Sequence, residues 1–372
     1  MLILGAGFAG LELATRLSES ADDLRITLVD RSETFYFGYS KLDVLFGRKT
    51  RDEVVLHYGD ISKPGVEFRQ EQVTSIEPES RRVTTDQQSY EADILVVALG
   101  ADYDYAATPG FEAAGFEYYS LAGAERMRDA LPEFESGRIL IGILGHPYKC
   151  PPAPFEGALL LHDYLVQRGI RAAAEIRVIG PMSAPVPITK GVSESILDAL
   201  ATREIEYVGT EHITRLDAGS NEVQLESGRS LPYDLFVGIP VHRVPEVVRA
   251  SGLAPEGWIP VERTNLATRF PDVYAIGDVA GAPTAKAGVF AESAAAVVAD
   301  DIVARLRGNA PPPPWEGAGS CYIEFGGGAV GKVQANFLGG PQPTAELIGP
   351  SPELAAEKAA FGATRRARWF GS

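Results

Sequence analysis

The chain has 372 residues, 45% of them hydrophobic and 23% charged, with a formal net charge of −16. That length exceeds what one core serves and predicts two or three domains of a soluble globular protein. The acidic balance excludes nucleic acid as a partner; two cysteines and five scattered histidines exclude a disulfide framework and a four-cysteine zinc site, so no metal is expected.

An apolar run, residues 1–4, leads into Gly5-Ala6-Gly7-Phe8-Ala9-Gly10 and then into a helical pattern. The reading is strand, tight turn and helix. The free N–H groups and positive dipole end of such a helix bind a pyrophosphate, and the glycines let the backbone approach it. A second strand over 24–29 ends in Asp30, twenty residues past Gly10. A carboxylate there hydrogen-bonds an adenosine ribose. The acid favours a free 2′-hydroxyl, hence FAD or NAD over NADP. Residue 1 already opens a strand, so no signal peptide is visible. A cytoplasmic protein is expected, and an exported form stays open if a leader precedes this numbering.

Residues 32–45 are aromatic and turn-rich and read as a loop passing the cofactor. Short strands are expected at 66–68, 73–76 and 82–85, then one buried strand over 90–100 that ends in Ala98-Leu99-Gly100. A helix follows at 122–131. A second strand–turn–helix begins at 138–145, with its helix over 154–167, a strand at 175–179 and a helix at 192–201. Short strands fall near Val208, Val223 and Leu235. Residues 272–278 read as a strand delivering Asp278 to a sheet's C-terminal edge, where ligands of open α/β sheets gather. A helix over 287–305 follows, then a stiff four-proline linker at 311–314.

The last stretch forms a smaller unit. Ser351-Pro352-Glu353 is a good helix start. Its basic, aromatic end, residues 365–370, is expected to dock on its own domain with arginines at the helix's negative end. The alternative is peripheral contact with a membrane surface. His162 reads as an ordinary packed residue.

Four stretches together resemble the pyridine nucleotide–disulfide oxidoreductase superfamily: Gly5 to Gly10, Asp30, the strand ending at Ala98-Leu99-Gly100, and Tyr274-Ala275-Ile276-Gly277-Asp278. The resemblance implies an α/β fold with two three-layer Rossmann-like domains and a small C-terminal α+β domain. It places a discontinuous FAD-binding domain at 1–108 and 246–310. The second Rossmann-like domain is at 109–245, and the C-terminal domain at 311–372. It implies FAD contacts at Gly5, Gly7, Phe8, Ala9, Gly10, Asp30, Arg31, Lys41, Ala98, Leu99, Gly100, Gly277, Asp278, Lys286 and Gly288. In that family the last acid binds the ribityl chain, and the next helix points its N-terminus at the flavin pyrimidine, which favours the reduced anion.

Where relatives that oxidise NAD(P)H carry a second glycine fingerprint, this chain has Gly145-His146-Pro147-Tyr148-Lys149-Cys150-Pro151-Pro152-Ala153-Pro154-Phe155-Glu156. Proline has no N–H to offer a pyrophosphate, so no usable NAD site is expected. Cys150 stands before a helix N-terminus and beside Lys149, and both neighbours are expected to favour a thiolate. This segment resembles sulfide:quinone oxidoreductases and the flavoprotein subunit of flavocytochrome c sulfide dehydrogenase. The resemblance implies a redox disulfide with a second cysteine of the C-terminal domain, here Cys321 in Gly319-Ser320-Cys321-Tyr322, with Cys321 nearer the flavin. Phe37-Gly38-Tyr39-Ser40 lacks the cysteine that links FAD covalently in the flavocytochrome subunit, so the FAD is expected to be non-covalent. Glu156 is a candidate proton handler, or else an exposed acid that merely suits the helix dipole.

The implied activity is oxidation of sulfide or a related sulfur compound, with electrons passing to a quinone or a cytochrome-like acceptor. Two alternatives stay open at this point. One is a type II NADH dehydrogenase or ferredoxin-reductase-like flavoenzyme; the other is an electron-transfer flavoprotein subunit that is inactive without its redox partner.

Overall fold

The computed structural model describes residues 1–21 and 23–371. Strands β1 (Leu2–Leu4), β2 (Ile26–Asp30), β3 (Val66–Gln70) and β4 (Leu95–Val97) alternate with helices α1 (Phe8–Ser20) and α2 (Ser40–Leu45). Next come β5 (Gly137–Ile143), α3 (Ala153–Gln167), β6 (Ala174–Ile179), α4 (Lys190–Ala201), β7 (Ile205–Val208) and β8 (Leu235–Ile239). Then follow β9 (Val273–Ala275), α5 (Gly288–Arg307), β10 (Ala318–Gly326), β11 (Ala329–Asn336), β12 (Thr344–Ser351) and α6 (Glu353–Phe370).

The first sheet is parallel, in the order β9-β4-β1-β2-β3. Its strands β9, β4 and β1 read as unbroken apolar runs because both faces are covered there. One face packs on α1 and α5 through Ile3, Leu28, Val96, Ala294 and Val298. The other packs on a three-stranded antiparallel sheet through Val73, Ile76 and Val83. The second sheet, β7-β6-β5-β8, is also parallel. Strands Asp102–Asp104 and Val241–Arg243 pair antiparallel and tie the two units together. The third sheet is the antiparallel β10-β11-β12. The α/β architecture is therefore as expected.

Three local expectations are corrected. Residues 32–45 are not a plain loop: Thr34–Phe35 pairs with Leu56–His57, and α2 follows. Burial of Phe35, Phe37, Leu42, Val44 and Leu45 orders the segment against its turn-rich composition. Residues 90–100 hold two strands, because Ser89–Glu91 completes the antiparallel sheet before the chain crosses into β4. Finally, α6 packs along β11 and β12 of its own unit as expected, but its aromatic end reaches beyond that unit to α1. Trp369 is 0% exposed, and its indole N–H donates to the buried Glu12 at 2.8 Å. Arg368 reaches the same carboxylate at 3.0 Å. The aromatic end is thus committed to the interior. No helix among the described residues is long and apolar enough to cross a membrane.

Candidate active site

The turn after β1 shows why each glycine is there. Gly5 sits at φ +98°, and a Cβ on it would lie 2.3 Å from the Ala98 carbonyl oxygen. A Cβ on Gly10 would lie 1.9 Å from the Gly5 carbonyl oxygen, whereas one on Gly7 would meet nothing within 4 Å. The first glycine permits the turn, the third lets helix meet strand, and the second leaves an open face for a phosphate. Asp30 is fixed beside that turn: its Oδ2 accepts the Ala6 N–H at 2.8 Å and its Oδ1 the Ser32 N–H at 2.8 Å. Ala98 and Leu99 border Gly5, and Ala9 backs Gly277, whose φ is +75°. Phe8 is committed to an aromatic cluster with Phe35, Phe37 and Trp369, at 5.3–5.7 Å between ring centres. The cradle fits the diphosphate and ribose of FAD. Arg31, next to Asp30 in the chain, is exposed and paired with Asp102 at 3.3 Å.

The far end of this cradle is cationic. Lys286, 8% exposed, donates to the Asp278 carbonyl oxygen at 2.7 Å and stands 3.4 Å over the Trp258 ring. Lys41 donates to the Tyr119 carbonyl at 2.5 Å and Lys149 to the Ala101 carbonyl at 2.7 Å. Burial pushes all three ammonium groups down, Lys41 and Lys286 to about 8. The Asp278 carboxylate opposes the fall in each of the three. Two residues past Lys286, α5 begins. The N–H groups of Gly288 and Val289 donate to no backbone carbonyl among the described residues, and a Cβ on Gly288 would lie 2.8 Å from the Phe8 ring.

Both cysteines come to this place. The Cys150 N–H donates to the Lys286 carbonyl oxygen at 2.7 Å, and its own carbonyl accepts the Ala153 N–H at 2.8 Å. Those bonds hold Cys150 at φ +50°, a conformation that costs a non-glycine residue about 1–2 kcal/mol. Cys321 arrives on β10, where a Cβ on Gly319 would lie 3.0 Å from Val289 and 3.1 Å from Phe290. Glu156 joins the two segments: its Oε1 accepts the N–H of Glu324, three residues past Cys321, at 2.9 Å. Both thiols are free and half-buried. Each is raised first by burial, Cys321 to about 12 and Cys150 further, with Cys321 and Glu156 opposing a Cys150 thiolate. The expectation that Lys149 favours that thiolate is therefore corrected, whereas the Ala153 N–H at the start of α3 lowers the Cys150 thiol as expected of a helix N-terminus, though burial outweighs it. Lys149 is turned to Ala101 and Tyr103, and the cation acting on Cys150 is Lys41. Glu156 is 3% exposed, which removes the reading of an exposed first-turn acid.

The first turn of α3 has no N–H to spare. Ala153 donates to Cys150, while Phe155 and Glu156 donate to the Pro152 carbonyl. Pro154 has none. Tyr148, 2% exposed, fills the loop and donates to the Pro151 carbonyl at 3.0 Å. His162, half-buried, faces Asp163 at 3.3 Å.

Some functional features escape a reading of the sequence. An open groove of about 820 Å³ runs between α5, the proline segment, β10 and α6. Within it Arg365 grips Glu292 at 3.0 and 3.1 Å, and Ser320 and Tyr322 line it beside Cys321. Lys358 stands 3.5 Å from Glu156. These residues lie on separate elements, so no spacing signals them.

A family model described as pyridine nucleotide-disulphide oxidoreductase matches residues 1–145 and 156–298. A mitochondrial sulfide:quinone oxidoreductase of Mus musculus is 23% identical over 359 residues, 92% of this chain and 79% of that one. The solved structure of the sulfide:quinone oxidoreductase from Aquifex aeolicus superposes with a TM-score of 0.87 at 23% identity, covering 99% of this chain and 91% of that one. A type II NADH:quinone oxidoreductase of Staphylococcus aureus is 36% identical over 103 residues only, 27% of this chain and 26% of that one.

Proposed function

This chain belongs to the pyridine nucleotide-disulphide oxidoreductase family, and we propose that, as an FAD-dependent oxidoreductase of that family, it oxidises sulfide at Cys150 and Cys321 and passes the electrons to a quinone. The observation that carries this reading is the meeting of the two cysteine segments at the head of α5, tied through Cys150 to Lys286 and through Glu156 to Glu324. The relationship to a sulfide:quinone oxidoreductase over 92% of the chain supports it.

In the oxidised enzyme the two sulfurs form a disulfide. Hydrosulfide attacks one of them: a new sulfur–sulfur bond forms, the old one breaks, and the other cysteine leaves as a thiolate. Cys321 is assigned as the thiolate nearer the flavin. Lys41, beside Cys150, stabilises anionic sulfur in a site that otherwise opposes it. Glu156 takes or returns protons at the sulfurs. FAD, held without a covalent bond by Gly5, Gly7, Asp30, Gly277 and Asp278, supplies when bound a two-electron carrier between the sulfur and the acceptor. The free N–H groups at the start of α5 and the nearby Lys286 favour its reduced anion.

The groove is assigned to the acceptor. β10 separates it from the thiols, as alternate side chains of a strand face opposite ways: Ser320 and Tyr322 face the groove and Cys321 the other side. Glu292, raised by burial and restrained by Arg365, is placed to give a proton to a reduced quinone.

The test is an anaerobic titration of the FAD-loaded protein with sulfide and, separately, with NADH. Sulfide bleaches the flavin and NADH does not. Bleaching by NADH alone would overturn the reading in favour of an NADH dehydrogenase.

A further inference from the structure

A buried chain of charges joins the cysteine pair to the tail helix. Glu156 lies 3.5 Å from the Lys358 ammonium on α6, with side-chain exposures of 3% and 12%. Lys358 also contacts the Glu324 carboxylate. Arg48, past the end of α2, grips that carboxylate at 2.5 and 3.0 Å and reaches Asp43 at 3.0 Å. One ammonium therefore stands between two carboxylates, one of them beside the sulfurs and the other already held by a guanidinium.

We propose that Lys358 is a positioning residue that keeps Glu156 ionised beside the two cysteines, and that Glu324 opposes it by competing for the same ammonium. This rests on the sulfide reading of the site. The step served is a proton transfer: attack of hydrosulfide on the disulfide leaves a persulfide S–H and a cysteine thiolate, and the Glu156 carboxylate takes the persulfide proton. The products are a carboxylic acid and a persulfide anion, with no change of oxidation state in that step. An uncompensated carboxylate at this depth would hold its own proton and could not act.

The groups facing Glu156 are Lys358 on α6, Glu324 and Cys321 on β10, Arg48 beyond α2, Cys150 before α3, and Tyr118. Burial raises the Glu156 carboxyl most, Lys358 and Arg48 lower it, and Glu324 raises it. Removing Lys358 must therefore raise it further, and neutralising Glu324 must lower it. A merely structural pair would not move a titration in two directions.

The experiment is a pH titration of the oxidised FAD-loaded enzyme by infrared difference spectroscopy, following the protonated-carboxyl band that Glu156→Gln abolishes. The pH profile of flavin reduction by sulfide is measured beside it. In Lys358→Met the midpoint rises by about one pH unit or more, about tenfold in proton affinity. In Glu324→Gln it falls, and Lys358→Arg restores the original value. The acid limb of the sulfide profile moves with each midpoint. Midpoints that stay fixed, or that move the same way in Lys358→Met and Glu324→Gln, overturn the proposal. If sulfide reduces none of the proteins, the sulfide reading fails, and the infrared midpoints still decide the charge relationship.

Discussion

The N–H of Cys150 donates to the carbonyl oxygen of Lys286 at 2.7 Å. This one bond ties the proline-rich loop between β5 and α3 to the approach to α5. A cysteine 136 positions earlier in the chain (286 − 150) is thereby held beside the start of α5. Cys321 reaches it independently on β10.

The three glycines of the first turn should separate folding from cofactor binding. Gly10→Ala puts a Cβ 1.9 Å from the Gly5 carbonyl and is expected to destabilise the protein by at least about 3 kcal/mol. Gly7→Ala meets no protein atom within 4 Å, so the chain folds normally but loses FAD affinity. Thermal unfolding and flavin fluorescence distinguish the two. Normal FAD binding by Gly7→Ala would show that the open face does not hold the phosphate.

The thiols of the reduced, FAD-free protein should titrate high. Burial raises Cys321 to about 12 and Cys150 above it. At pH 7 both are thiols, and iodoacetamide reacts slowly. The rate rises about tenfold per pH unit without the plateau an ordinary thiol shows near pH 9. The folded-state values are raised, so the stabilisation they carry is complete below the ordinary thiol value and is lost as pH climbs through 9 towards 12. Lys41→Met removes the cation that lowers Cys150 and should slow its alkylation further. A plateau near pH 9 in the unmodified chain would contradict this.

The groove and the thiols should be kinetically separable. Glu292→Gln and Arg365→Met break a pair that lies in the groove. The expected result is a raised KM for a short-chain quinone, with the rate of flavin bleaching by sulfide unchanged within about twofold, because that step does not use the groove. Equal losses in both steps would remove the assignment of the groove to the acceptor.

Trp369→Ala should release the tail helix. The indole is 0% exposed and bonded to Glu12, so the loss is about 3–5 kcal/mol, visible as earlier proteolysis within α6. Unchanged protection of α6 would contradict the docking.

What the sequence reveals and conceals follows from range. Turn, helix start and acid at residues 5–30 are local, and the glycine spacing read in its strand–helix context predicts the strand, the helix and the carboxylate beside the turn that the structure shows. The proline-rich turn is equally local, and its missing N–H groups follow from residue type. Three features depend on tertiary neighbours instead. Lys149 precedes Cys150 in the chain, yet its ammonium bonds across to Ala101. Glu156 in a first helical turn looks like a solvent-facing acid until β10 and α6 cover it. Docking of the aromatic end of α6 is expected from its composition, but its partner Glu12, on a helix more than 340 residues earlier, is not.

The central claim is that Cys150 and Cys321 act as one redox pair. Its most direct test is mass spectrometry of the oxidised, FAD-loaded protein digested without reductant, before and after one equivalent of sulfide under argon. A peptide cross-linked through Cys150 and Cys321 is expected before sulfide. After sulfide, a persulfide is expected on one of the two cysteines and an alkylatable thiol on the other. Two freely alkylated thiols in the oxidised protein, with no cross-linked peptide, would contradict it.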